Sequence, residues 1–208
     1  MVQGTAAPYP LSLRGELDPE LSRWLLLVKL VLIIPHVFLL VFLWSAATGV
    51  TVIAFFAILF TARYPRNLFE FNVGVLRWTW RVGFYSYSAL GTDRYPPFSL
   101  QSTDYPADLS VEYPERLSQW LVLSKWSRAM PHYLIIYFIF YGGVGLLQGG
   151  GLIPLLALFA GVFILFTKQY PRDIFDFVMG LNRWTYRVAA YGLLMTDQYP
   201  PFRLDLRE

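Results

Sequence analysis

Polar and apolar positions are divided unevenly along this chain. No Asp, Glu, Lys or Arg lies between Lys29 and Arg63, or between Arg128 and Lys168. Both gaps exceed the roughly 20 residues that cross a bilayer core. Within them, "SAATG" (45–49) and "GGVGLLQGGG" (142–151) interrupt the apolar run. The pattern therefore predicts a membrane helical hairpin over 20–62 and a second over 115–167. After each gap the period changes to that of an amphipathic helix, predicted over 65–90 and 171–194. Short alternating or proline-bounded segments predict strands at Leu11–Arg14, Phe98–Gln101, Leu109–Glu112 and Phe202–Leu206, paired as a small sheet.

The same order of elements occurs twice. Tyr9, Trp24, Lys29, Pro35 and His36 recur 96 residues later as Tyr105, Trp120, Lys125, Pro131 and His132. "RYPRNLFEFNVGVLRWTWRV" (63–82) recurs as "QYPRDIFDFVMGLNRWTYRV" (169–188), and "TDRYPPFSL" (92–100) as "TDQYPPFRL" (196–204). The chain divides into repeat 1 (1–104) and repeat 2 (105–208), an organisation fixed before any motif is interpreted. The fold class that follows is mainly α and integral membrane: a tandem parallel repeat with a short strand, a membrane hairpin and a long interfacial helix in each copy.

Composition agrees with a membrane class. Of 208 residues, 56% are hydrophobic and only 15% charged, against about a quarter charged in soluble domains. Basic residues (Arg23, Lys29, Arg63 and Arg66; Arg116, Lys125, Arg128, Lys168 and Arg172) flank both sides of each gap. Short Lys/Arg-rich loops stay cytoplasmic, which predicts crossing hairpins with both termini cytoplasmic, the alternative being hairpins that dip into the bilayer without crossing it. The first 18 residues lack the apolar core of a secretory signal, so the membrane segments are expected to direct their own insertion. There is no cysteine, which excludes disulfides and thiolate sites, and the net charge of +3 is too mild for a nucleic-acid binder.

The long amphipathic segments carry one polar stripe each. Glu70, Gly74, Arg77 and Arg81 are spaced i, i+4, i+7 and i+11, and Asp176, Gly180, Arg183 and Arg187 repeat the spacing. Two arginines at mid-bilayer cost about 2.5–3.5 kcal/mol each. Lying in the headgroup plane avoids that cost, with Trp78, Trp80 and Trp184 as interface residues.

The motifs "YPERLSQWLVLSKW", "PHYLII", "QYPRDIFDFVMGLNRWTYRVAAY" and "TDQYPPF" resemble the bacterial membrane family called domain of unknown function 4389. The resemblance covers both copies. It implies the membrane class, the repeat and a bacterial inner-membrane location, and almost nothing about activity. The first copy departs from it at "LDPELSRW" (17–24), where the second has "YPERLSQW" (113–120).

Three sets of residues are candidates for chemistry. His36 and His132, the only histidines, stand behind prolines in apolar surroundings. They are read as neutral structural residues facing protein, or alternatively as a haem b or proton site, since two imidazoles from two helices can ligate haem iron. Arg77, Arg81, Arg183 and Arg187 suit the phosphate of an anionic lipid or a partner's anions. The competing reading pairs them internally with Glu70, Asp93, Asp176 or Asp197. Glu70 and Asp176 form no recognisable acid–base site, and no nucleophile, metal or nucleotide motif accompanies them. The expected function is a non-catalytic accessory or scaffold subunit. It would contact the phospholipid bilayer and either a larger membrane complex or another copy of itself, through its interfacial helices. The alternative is a small carrier or redox protein using the histidines.

Overall fold

The computed structural model describes residues 9–141, 151–167 and 169–204. Strand β1 (Leu11–Gly15) is followed by α1 (Arg23–Leu32), α2 (Ile34–Thr61) and α3 (Arg66–Tyr85); then come β2 (Ala107–Val111), α4 (Gln119–Arg128), α5 (Met130–Tyr141), α6 (Leu152–Thr167) and α7 (Arg172–Gly192). The protein is mainly helical with one small antiparallel sheet.

The sheet shows how the copies are related. Leu13 pairs with Leu109 at its centre, and these two residues are repeat equivalents. Glu16 N donates to Pro106 O at 2.9 Å, and Glu112 N to Pro10 O at 2.8 Å, again as an equivalent pair. A local two-fold axis therefore runs through the Leu13–Leu109 pair. The copies are also interlocked: β2 packs on α3 and β1 on α7, while α4 packs on α2 and α1 on α6. Each long helix is covered by the other copy's strand.

Local sequence explains the helix starts and the first break. Ser22 and Ser118 cap α1 and α4, their hydroxyls accepting from Leu25 N (3.3 Å) and Leu121 N (3.2 Å). The helices then break at Ile33 and Ala129, two residues before Pro35 and Pro131, which lack the N–H that would continue the ladder. Tyr95 Oη donates to Leu32 O at 3.0 Å, and Tyr199 Oη to Arg128 O at 3.1 Å, satisfying equivalent carbonyls at the two breaks.

The hairpin predicted within the first copy does not form. Helix α2 runs unbroken through "SAATG", 28 residues in all, or about 42 Å at 1.5 Å per residue. Ser45, Thr48 and Thr51 return their hydroxyls to carbonyls four residues back, which keeps them inside the helix. Ala47 and Ala54 are fully buried, so small side chains serve close packing here and not a turn. In the second copy α5 and α6 are separate helices, and the predicted turn at 142–150 lies outside the described residues. Among the described residues α2 is the one helix long and apolar enough to cross a membrane.

Two further expectations are corrected. Segments 98–101 and 202–204 are not strands; residues 205 and 206 lie outside the described chain. The carbonyls of Ser99, Leu100 and Gln101 are taken by arginine side chains, which occupies the groups a strand neighbour would use. The long helices are also shorter than predicted (Arg66–Tyr85 and Arg172–Gly192) and are not laid bare on a surface. Trp78, Trp80 and Trp184 are buried in protein. The sheet covers one side of α3 and the apolar helix α2 another, so its aromatic residues meet neighbours where lipid was expected.

Candidate functional site

The polar stripe of α3 faces the second copy's strand. Arg77 Nε lies 3.0 Å from Asp108 Oδ1, and Arg81 Nη2 lies 3.2 Å from the same atom. Arg77 also donates to Leu109 O (2.9 Å) and Leu100 O (3.0 Å), and Arg81 to Gln101 O (2.7 Å) and Ser99 O (3.3 Å). Ser102 Oγ donates to Asp108 Oδ2 at 2.7 Å. One carboxylate thus holds two arginines that would otherwise repel. Arg81 is fully buried; burial draws its pKa down and Asp108 opposes that shift. For Arg77 and Arg81 the pairing is internal, with Asp108 in place of Glu70, Asp93, Asp176 or Asp197. Asp108 was not among the carboxylates named for it, because its proximity depends on the exchange of strands between copies.

Gly74 has a matching explanation. A Cβ there would stand 2.7 Å from Leu100 Cβ and 3.0 Å from Leu100 O. The backbone that approaches this glycine is the chain's own return segment. Glu70 is exposed and pairs with Arg66 at 3.2 Å; Asp176 pairs with Arg172 at 3.3 Å. Arg66, Glu70, Arg77 and Gln101 line a cleft of about 590 Å³ between α3 and β2, together with apolar Phe69 and Leu100. In the second copy, Arg187 lies over the Tyr9 ring at 5.4 Å, Tyr9 Oη donates to Arg187 O, and Gly180 is buried. Arg183 and Arg187 both have partners. Ser12 occupies the position equivalent to Asp108.

Asp93 and Asp197, assigned to arginines from the sequence, serve lysines. Lys29 Nζ is 2.9 Å from Asp93 and donates to Thr92 O at 2.7 Å. Lys125 Nζ is 2.7 Å from Asp197 and donates to Thr196 O at 2.8 Å. Both lysines are completely buried. Each aspartate also accepts from the capping serine's backbone N–H (Ser22 or Ser118), which ties the "TD" motif to the helix start. The signal was available: a lysine and a Thr-Asp pair recur together in both copies. Tyr64 was missed as well. Its hydroxyl accepts from Asn72 Nδ2 at 2.9 Å, and burial pushes its pKa up to about 12.

Each histidine is enclosed by aromatic groups of its own copy. Phe98 stacks on His36 and Phe202 on His132, both at 4.0 Å between ring centroids. Tyr95 and Tyr199 sit 4.9 Å away in matching tilts. The "YPPF" motif is therefore a lid over each imidazole, held down by the tyrosine bonds to Leu32 O and Arg128 O. Both histidines are fully buried. A shared haem iron would require both lids to open. The copies differ at the tryptophan: Trp78 Nε1 donates to His36 Nδ1 at 3.0 Å, while Trp184 Nε1 and both His132 nitrogens have no hydrogen-bond partner among the described residues.

No curated protein and no solved structure matches this chain. The family described as domain of unknown function (DUF4389) matches twice in tandem, over residues 23–99 and 126–203. Those two matches contain both Pro-His pairs, both polar stripes and both aromatic lids. The chain is a two-copy member of this family.

Proposed function

We propose that this is a non-catalytic bacterial inner-membrane protein, an accessory or scaffold subunit embedded through its apolar helices. The observation that carries the reading is the apolar surface of α1, α2, α4, α5 and α6. Its four most exposed large side chains form two equivalent pairs: Trp24 (81%) with Trp120 (83%), and Phe60 (76%) with Phe166 (79%). Apolar surface on this scale marks a lipid or protein contact, and the exposed tryptophans suit an interfacial belt. Arg23 donates to Phe166 O, and Gln119 to Leu59 O, so each tryptophan's helix start adjoins the helix end that carries one of these phenylalanines. Tyr9 Oη donates to Gln198 O at 3.2 Å. That contact supports both ends of the chain lying on one side, and the basic flanks favour the cytoplasm.

Partner recognition then falls to the polar side. Arg77 and Arg81 are committed to Asp108 and carbonyls, so exposed Arg66 at the mouth of the cleft between α3 and β2 is the better candidate for a partner's anionic group. Two measurements test this. The protein should stay with membranes through alkaline extraction; release into the soluble fraction would end the membrane reading. Arg66→Glu, at an exposed position, should reduce any co-purifying partner several-fold while leaving membrane insertion unchanged. Unaltered recovery would reject the cleft.

A further inference from the structure

The two aromatic shells began as one sequence pattern and now differ in a way that leaves space in the second. In the first, Trp78 stands nearly perpendicular to His36 (87°) and to Phe98 (82°), donates to the imidazole, and is packed by Leu40, Trp44 and Leu100. In the second, the Trp184 ring is inclined by only 54° to His132 and 36° to Phe202. Its Nε1 has lost the imidazole and is buried with no hydrogen-bond partner among the described residues. Two sequence differences go with the change. Phe140 replaces the larger Trp44, and Arg203 replaces Ser99. Beside Trp184 lies an apolar cleft of about 240 Å³, lined by Ile135, Ile139, Leu181 and Leu204 and bordered by exposed Arg203.

A buried indole N–H without an acceptor has given up its bond to water for nothing, and a ligand oxygen reaching it would restore one. The cleft is smaller than the roughly 300–1,000 Å³ of ordinary small-molecule sites. A slender chain fits it; a ring system such as haem does not. Arg203 has a partner within the chain, but a guanidinium offers five donors and can hold a phosphate as well. We infer that this cleft holds one acyl chain of an acidic phospholipid, with a lipid oxygen accepting from Trp184 Nε1 and the phosphate beside Arg203. The inference rests on the membrane-embedded reading above, and it assigns lipid recognition to the second copy alone.

The test uses the full chain with ¹⁵N-labelled tryptophan in phosphatidylcholine nanodiscs, the indole signals being assigned with Trp78→Phe and Trp184→Phe. Incorporation into discs tests the membrane reading; the titration that follows tests the site. Adding phosphatidylglycerol should shift the Trp184 indole signal saturably and leave that of Trp78 in place. Arg203→Gln should weaken the apparent affinity at least tenfold. Leu181→Phe, which fills the cleft, should abolish the shift, with the unchanged Trp78 signal reporting an intact fold. The site is refuted if the Trp184 signal ignores phosphatidylglycerol, or if Arg203→Gln titrates like the wild type. A response to added oleate without one to phosphatidylglycerol would replace the phospholipid with a free fatty acid and overturn the proposal as stated.

Discussion

The first copy holds its polar groups tightly, while the second keeps the same framework and relaxes it. Arg77 and Arg81 converge on Asp108, and His36 accepts from Trp78. At the matching places the second copy's α7 packs on the first copy's strand, which has Ser12 where β2 has Asp108, and the Trp184 indole N–H has no hydrogen-bond partner among the described residues. The conserved framework is the part that keeps charge or polar backbone out of apolar surroundings: the Lys–Asp pairs, the capping serines and the tyrosine lids. Duplication left those costs in both copies, so both retain the answer to them. The features that differ add packing or specificity, and one copy suffices to supply them. An interlocked pair of repeats can thus hold one rigid half and one half with room for a ligand.

The largest expected effect separates the copies at the strand. Asp108→Ala strands the fully buried Arg81, and breaking a buried pair in this way costs about 3–5 kcal/mol. Ser12→Ala should change stability by less than about 0.5 kcal/mol. Unfolding of the purified variants in detergent measures both, and equal losses would remove the asymmetry.

Next come the lysine pairs, where the copies should behave alike. Asp93→Asn and Asp197→Asn each leave a buried ammonium without its counter-ion, at a cost of about 2–4 kcal/mol. A large loss in one copy only, read from the same unfolding curves, would break the equivalence drawn between them.

The tryptophans sharpen the difference. Trp78→Phe deletes a made hydrogen bond and should cost about 1 kcal/mol or more, whereas Trp184→Phe deletes an unsatisfied donor and should be close to neutral without bound lipid. The thermal midpoints of the two variants should therefore separate, with Trp78→Phe the lower.

The smallest effect concerns α2. Gly49 lies inside the helix and a Cβ there meets nothing within 4 Å. Gly49→Ala should add about 0.5–1 kcal/mol, where a turn at this position would gain nothing from alanine. A lower thermal midpoint for this variant would argue for the hairpin after all.

Read without the structure, this chain already disclosed its duplication, its apolar class, the start of each long helix and the polar stripes, because each of these is a local period or a direct sequence identity. Family membership was legible in the same way. The break at "SAATG" was misplaced because serine and threonine can bond back to their own helix, a choice that local composition does not reveal. Asp108 was missed because an arginine stripe specifies that it needs an acceptor and leaves the acceptor's place in the chain open. The tertiary structure alone decided that each strand crosses to the other copy, that the tryptophans of the long helices lie inside, and that the "YPPF" segments close over the histidines. The physical reason is common to all three. Burying a charge or a polar ring sets a demand that any nearby group can meet, and which group is nearby depends on how the two copies interlock.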